Sequence, residues 1–502
     1  MLKISGLTVC CFVLSADSQS SFRTQNQYPK YDSTINSDQI YFDDNRPSGS
    51  INIQKELSNL NGLTIGTKIP IINPNFGAPQ YSPYANNVII QPSIQTYNQE
   101  TTKIVPQKSG TPAKKMTDTF FQTQVTRPEI DSVDYAITHF GINIFKQITS
   151  SQPGNMVVSP FSITTLLALL QQGATGSTLD QISAALHLAP LKTSEVFRNV
   201  MENVQKRKSQ NILKTLNNIF VAETFNLNRD FERIAKSYFG SDVTLMNFGR
   251  PDVAIQRINN WVGAMTNGKI ENLLSQDAIS QNSQLVLVNV VYFKGLWQIP
   301  FRTESTVPQP FLLKGGIQKT APFMRTRRYF RTGLDPITNA KVISLPFEKD
   351  QYSLLVVLPH EQSDIDTLIS RLTVEQLIAY QNFTAMDVEL ELPKFTVKGD
   401  TDLVPVFNRM GISNMFSNRA ELFGLGTFRE FSPQVSSAVH SAVLSIDEKG
   451  GSAAAATSFG VVALSFDDPA VVFKANRPFL AVLWDTALSL PLFMAKIEDP
   501  TE

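Results

Sequence analysis

The sequence predicts an α+β fold for the region beyond residue 128. Two observations predict it: apolar residues recur at helical spacing just after that point, and runs with strand character follow, some close to the C-terminus, without a repeating strand–helix–strand alternation. A third bounds it. With 502 residues, 42% hydrophobic and 18% charged, the chain has material for one large domain with appendages or for several ordinary ones.

In chain order, Lys3, the apolar run Leu7 to Leu14 and a small residue at Ala16 or Ser18 have the pattern of a secretory signal over residues 1–16, so the protein is expected to be secreted and extracellular. Both cysteines, Cys10 and Cys11, lie inside that run. Its removal leaves no disulfide, no thiolate nucleophile and no cysteine metal site. Residues 17–127 carry nine prolines between Pro29 and Pro112 and many Asn, Gln, Ser and Tyr. Such a low-complexity segment is expected to stay extended or disordered, because it offers little contiguous apolar surface against the entropy of ordering. It serves either as a docking arm, with Tyr28, Tyr31, Tyr41, Tyr81, Tyr84 and Tyr97 as anchors, or as a spacer.

Residues 128–502 read as the folded domain. Val133, Ile137, Phe140, Ile144 and Ile148 fall on one helical face. A second helix begins after Ser159-Pro160, and Leu166, Leu167, Leu169 and Leu170 make it apolar nearly all round, the pattern of a helix through the interior. Asp180–Leu188 and Val253–Met265 read as further helices. Leu285–Phe293 reads as a buried strand, Lys341–Phe347 and Tyr352–Leu358 as a hairpin around the polar turn 348–351, and Val388–Leu392 as an alternating strand.

Several function classes find no support. The formal net charge is +0, so no global field attracts nucleic acid or anionic lipid. Beyond residue 20 no apolar run approaches the roughly 20 residues needed to cross a bilayer as a helix, so no membrane partner is expected. There are four histidines, His139, His187, His360 and His440, and no Gly-x-Ser-x-Gly elbow. His360-Glu361 starts like a zinc-protease helix, but residue 364 is Asp. Gly424-x-Gly426 lacks the rest of a phosphate-binding loop. Catalysis, metals and cofactors are therefore not expected. Lys206, Arg207 and Lys208 with Lys214 form the best basic cluster, either a solvated helix end or a glycosaminoglycan site. Asn382-Phe383-Thr384 is a glycosylation sequon.

The unusual segment runs from Glu448 to Ser465, where Gly450 and Gly451 precede Ser452 and four alanines, Ala453, Ala454, Ala455 and Ala456. It makes neither a normal helix with caps nor a good strand by propensity, and is strangely apolar for a loop. As a strand it would place Gly451, Ala453, Ala455, Thr457, Phe459 and Val461 on one face, none of them charged. A small-residue helical turn packed on the core is the alternative.

Around this segment the chain resembles the serpin family, from about Ser132 to Pro500. The matching pieces are Asn155-x3-Ser159-Pro160-x-Ser162, then Asn289-Val290-Val291-Tyr292-Phe293-Lys294-Gly295-x-Trp297 and Leu392-Pro393-Lys394-Phe395. His440-x3-Leu444 leading to Asp447-Glu448, Asn476-Arg477-Pro478-Phe479 and Leu492-Phe493-Met494 complete the set, in family order and spacing. The resemblance implies three β-sheets, eight to nine helices and an exposed reactive-centre loop from Gly450 to about Val472. Counting the family's seventeen residues from the hinge glutamate Glu448 puts the reactive bond at Leu464-Ser465, with Phe459 or Phe466 as alternatives for the cleaved position. It further implies a polar cluster governing sheet opening, Ser159, Ser162, Asn289 and His440, with Trp297 as an aromatic at the head of the sheet.

The activity so implied is suicide inhibition of a chymotrypsin-like or elastase-like serine protease. The partner would be the protease, in a covalent 1:1 acyl complex, and the inhibitor itself a monomer without cofactor. A non-inhibitory carrier, chaperone or storage serpin is the alternative. The long arm is similar to those of arthropod serpins in innate immune protease cascades.

Overall fold

A computed structural model describes residues 133–206, 211–428, 432–450 and 471–502. The expected signal segment and the 17–127 arm lie outside the described residues. So do Arg207, Lys208, Gly451, Ser452, Ala453, Ala454, Ala455, Ala456, Leu464 and Ser465.

The apolar helix after Ser159 is the axis of the structure. Ser159 caps it, its side chain accepting from the Ser162 N–H, and Pro160 occupies the first turn, where the missing N–H is not needed. Over Pro160–Gly173 every residue except Gln172 is buried. The two buried threonines return their hydroxyls to carbonyls four residues back, Thr164 to Pro160 and Thr165 to Phe161, which satisfies them inside an apolar core. The preceding helix, Val133–Thr149, buries Ile137, Phe140, Ile144 and Ile148, the expected face.

Two sheets pack on this interior. The larger has nine strands, in the order Met156–Val158, Leu490–Ile497, Phe479–Asp485, Tyr352–Pro359, Ala340–Pro346, Gln318–Asp335, Ala385–Pro393 and Val471–Lys474, with Val307–Leu312 also paired to Gln318–Asp335. The five-stranded sheet runs Phe395–Asp402, Val435–Ile446, Leu285–Lys294, Ile212–Ala222 and Asp242–Met246. A two-stranded sheet pairs Gly426–Thr427 with Asn226–Leu227. The described residues thus hold three sheets and nine α-helices.

The central strand Leu285–Lys294 is buried at its first nine positions because both faces are covered. Leu285, Leu287, Val291 and Phe293 join the main core beside the Pro160–Gly173 helix. Val286, Val288, Val290 and Tyr292 join a second core with Ile255, Ile258 and Val262 of the helix Pro251–Met265. A continuous apolar run is the sequence form of a strand buried on both faces.

Helices do not simply precede strands, contrary to the sequence expectation. Met156–Val158 lies between the first two helices, and Ile365–Arg371, Val374–Tyr380 and Leu403–Arg409 fall among the late strands. These three helices have seven residues each, too short to show a clear period. Capping makes them instead: Asp364, Thr373 and Asp402 each accept a hydrogen bond from the first turn.

Candidate functional site

Within the five-stranded sheet, Leu285–Lys294 and Val435–Ile446 are parallel neighbours, paired from Leu285 opposite Val435 to Phe293 opposite Leu444, with one bulge between Val435 and Ser437. Every other pair involving the central strands reaches the sheet by shorter paths, but these two strands come from segments about 150 residues apart. At mid-height Asn289 lies opposite His440 on one side and opposite Asn217 on the other. The strand period turns all three toward the start of the Pro160–Gly173 helix.

The expected cluster is therefore assembled, and it is fully buried: Ser159 is 1% exposed, and Ser162, Asn289 and His440 are 0%. The Ser159 N–H donates to His440 Nε2 at 3.0 Å. That leaves the ring proton on Nδ1, which donates to Asn289 Oδ1. Asn289 Nδ2 donates to Ser162 Oγ at 2.6 Å, to the Ser162 carbonyl at 3.1 Å and to Asn217 Oδ1. Burial pushes the His440 pKa down to about 3, so the ring is neutral at physiological pH and clips the two parallel strands together across Asn289.

Trp297 belongs to a second assembly, at the end of the same strand. Its ring stacks on Phe347 at 4.3 Å and meets Phe301 edge-on at 6.0 Å. The indole N–H donates to the Asp447 carbonyl at 2.8 Å, the Trp297 backbone N–H to the Lys449 carbonyl at 3.0 Å, and the Phe301 N–H to the Glu448 carbonyl at 2.8 Å. Glu448 pairs with Lys394 at 2.9 Å and accepts from Thr306 Oγ1 at 2.8 Å. Burial works to raise its pKa, but the bonds from Lys394, Thr306 and its own backbone outweigh burial and hold the carboxyl below the usual range.

Gly450 closes this assembly. Its φ is +124°, and a Cβ there would sit 2.7 Å from the Gly295 carbonyl oxygen and 2.8 Å from the Trp297 nitrogen. Only glycine fits both the angle and the space. Asp447 Oδ1 accepts from the N–H groups of Lys449 and Gly450 at 2.8 and 3.0 Å and shapes the turn.

The other expected sites are separate from these two assemblies. Asn382 is exposed in the turn after Val374–Tyr380, with Thr384 also exposed. Lys206 ends the helix Pro190–Lys206 and pairs with Glu202 at 3.2 Å, and Lys214, on Ile212–Ala222, donates to the Met265 carbonyl at 3.3 Å. Sequence reasoning missed Asn217, Thr306, Lys394 and Phe347 as partners. Lys394 was within a recognised motif; the others carry no local signal. Among the described residues no group of three or more His, Cys, Asp or Glu could hold a metal ion, and no helix is long and apolar enough to cross a membrane.

The architecture is a five-stranded sheet with a directly paired parallel couple at its centre, beside a nine-stranded sheet. The family described as Serpin (serine protease inhibitor) matches residues 135–500. The chain belongs to the serpin family. It is 31% identical over 381 residues to leukocyte elastase inhibitor of Sus scrofa, covering 74% of this chain and 100% of the relative. It is 31% identical over 360 residues to antichymotrypsin-2 of Bombyx mori, covering 70% and 94%. The crystal structure of Manduca sexta serine protease inhibitor (serpin)-12 is similar with a TM-score of 0.69 and 52% identity, covering 73% of this chain and 99% of that one.

Proposed function

We propose that the protein is a secreted suicide inhibitor of a chymotrypsin-like or elastase-like serine protease, acting through the bond Leu464-Ser465. The observation that carries this reading is the direct parallel pairing of Leu285–Lys294 with Val435–Ile446: a slot one strand wide opens if they part. The chain leaving Val435–Ile446 passes, through Gly450, straight into the small-residue segment 451–456.

In the proposed reaction the protease serine oxygen attacks the Leu464 carbonyl carbon and the Leu464-Ser465 C–N bond breaks. The Ser465 amine leaves with a proton from the protease histidine, and Leu464 remains as an ester on the protease. The freed segment 451–464 then enters the slot as a new strand; serpin loop insertion is itself a standard example of strand addition. About fourteen residues at roughly 3.3 Å each carry the acylated protease on the order of 50 Å, which distorts its active site before water can release it. The uncharged inward face and the small hinge residues suit this movement. The names of two relatives, an elastase inhibitor and an antichymotrypsin, agree with leucine at the cleaved position. A role in an immune cascade rests on the similarity of the long arm, and secretion on the pattern of residues 1–16.

Incubation with chymotrypsin or neutrophil elastase should give a complex that survives boiling in detergent, and the small released fragment should begin at Ser465. A cleaved chain with no complex would favour the non-inhibitory alternative.

A further inference from the structure

The hydrogen bonds of Trp297 and Phe301 to residues 447–449 join the continuations of the two strands that an inserting segment must separate. Between the two buried aromatics Trp297 and Phe301 the turn has little apolar anchorage: Gln298 and Ile299 are exposed and Pro300 is half-buried. What holds this part of the turn comes largely from the other sheet. Arg328, on Gln318–Asp335, donates from Nη1 to the Ile299 carbonyl and from Nη2 to the Pro300 carbonyl, both at 2.7 Å, and its guanidinium lies over the Phe301 ring at 6.0 Å. The same Phe301 donates its N–H to Glu448.

Resting on the inhibitory reading, we propose that Arg328 is a positioning residue for loop insertion, its guanidinium clamping the 299–301 turn against the base of the hinge and so setting how readily the slot opens. The planar fork suits two successive carbonyls; a lysine, a single point charge on a flexible stem, cannot hold both at once. Charge-assisted bonds of this kind are among the stronger ones. They lie on one side of the junction that parts first, so their loss should lower the barrier to opening more than it disturbs the remote core.

The test uses the full chain and a synthetic peptide of residues 450–464, whose uptake into the slot is followed by the rise in thermal unfolding temperature. Arg328→Ala should take up the peptide about tenfold faster than the natural chain, and should lose inhibitory activity on standing at about 37 °C correspondingly faster. Arg328→Lys, which keeps the charge without the fork, should fall between, at about threefold. Uptake by either variant at or below the natural rate overturns the proposal, including the case where only the urea midpoint falls, since that is what a merely structural arginine would give. Failure of the natural chain to accept the peptide overturns it too. Peptide uptake needs no protease, so a natural chain that takes up peptide but never traps chymotrypsin sinks the inhibitory reading while leaving the Arg328 result to be read.

Discussion

Acid should weaken this protein through His440. The ring is wholly buried, accepts from the Ser159 N–H at Nε2 and donates to Asn289. A second proton could go only to Nε2, where it would remove the Ser159 bond and leave a buried cation with no carboxylate among its partners. The folded pKa is about 3, against about 6.5 for an unfolded histidine. Between those values the unfolded chain binds more protons, so stability contributed by neutral His440 is present above about pH 6.5 and falls as pH drops toward 3. The slope is about 1.4 kcal/mol per pH unit, or about 2 kcal/mol between pH 7.5 and pH 5. Urea unfolding of the natural chain and of His440→Asn at both pH values isolates the effect, because the carboxylates and the other histidines titrate in both. The asparagine variant should be the less stable at pH 7.5, and the gap should shrink by about 2 kcal/mol at pH 5. An unchanged gap would refute a neutral, buried His440 as the clip between the strands.

Other substitutions probe the remaining parts. Gly450→Ala should disturb the hinge base, since a Cβ meets the Gly295 oxygen at 2.7 Å at a φ of +124°; a loss of about 1 to 3 kcal/mol is expected in the urea midpoint, with altered Trp297 fluorescence. Glu448→Gln removes the charge partner of Lys394 but keeps an acceptor for Thr306, and should destabilise by about 1 kcal/mol, with a double-mutant cycle against Lys394→Met recovering the coupling. Leu464→Arg should move inhibition from chymotrypsin to trypsin, as measured by complex formation on a denaturing gel; persistence of chymotrypsin inhibition would place the reactive bond at Phe459 or Phe466. Deletion of residues 17–127 should leave the rate of complex formation with chymotrypsin close to that of the full chain, as read by stopped-time gels.

Much of the fold was legible where a single segment carries its own periodicity. Ile137, Phe140, Ile144 and Ile148 announced the first helix, and a run of nine positions interrupted only by Asn289 announced the central strand. Gln318–Asp335 was not legible: eighteen residues long, it exposes Arg327, Tyr329 and Arg331 on its outer face, so its polarity reads as loop. Pro190–Lys206 and Arg229–Phe239 were missed because their buried stripes are narrow, three residues in the second case, Phe231, Ala235 and Phe239. Sheet order is beyond local pattern altogether, since Leu285–Lys294 meets Val435–Ile446 only through the tertiary fold. The same limit explains the site. Family motifs pointed to Ser159, Ser162, Asn289, Trp297 and His440, whereas Asn217 joins them by register with Asn289, and Thr306 and Lys394 reach Glu448 from connections next to strands far away in the sequence.

The central claim is that the parallel pair at the middle of the five-stranded sheet admits the cleaved loop. Thermal unfolding of the chain before and after a single cut within residues 451–470, made with a protease that is not trapped, tests it most directly. Ladder bonds at about 0.5 to 1.5 kcal/mol net for each of some fourteen inserted residues amount to on the order of 10 kcal/mol, so the cut protein should melt more than about ten degrees higher. A melting temperature that stays the same or falls after cleavage would contradict insertion, and with it the trap.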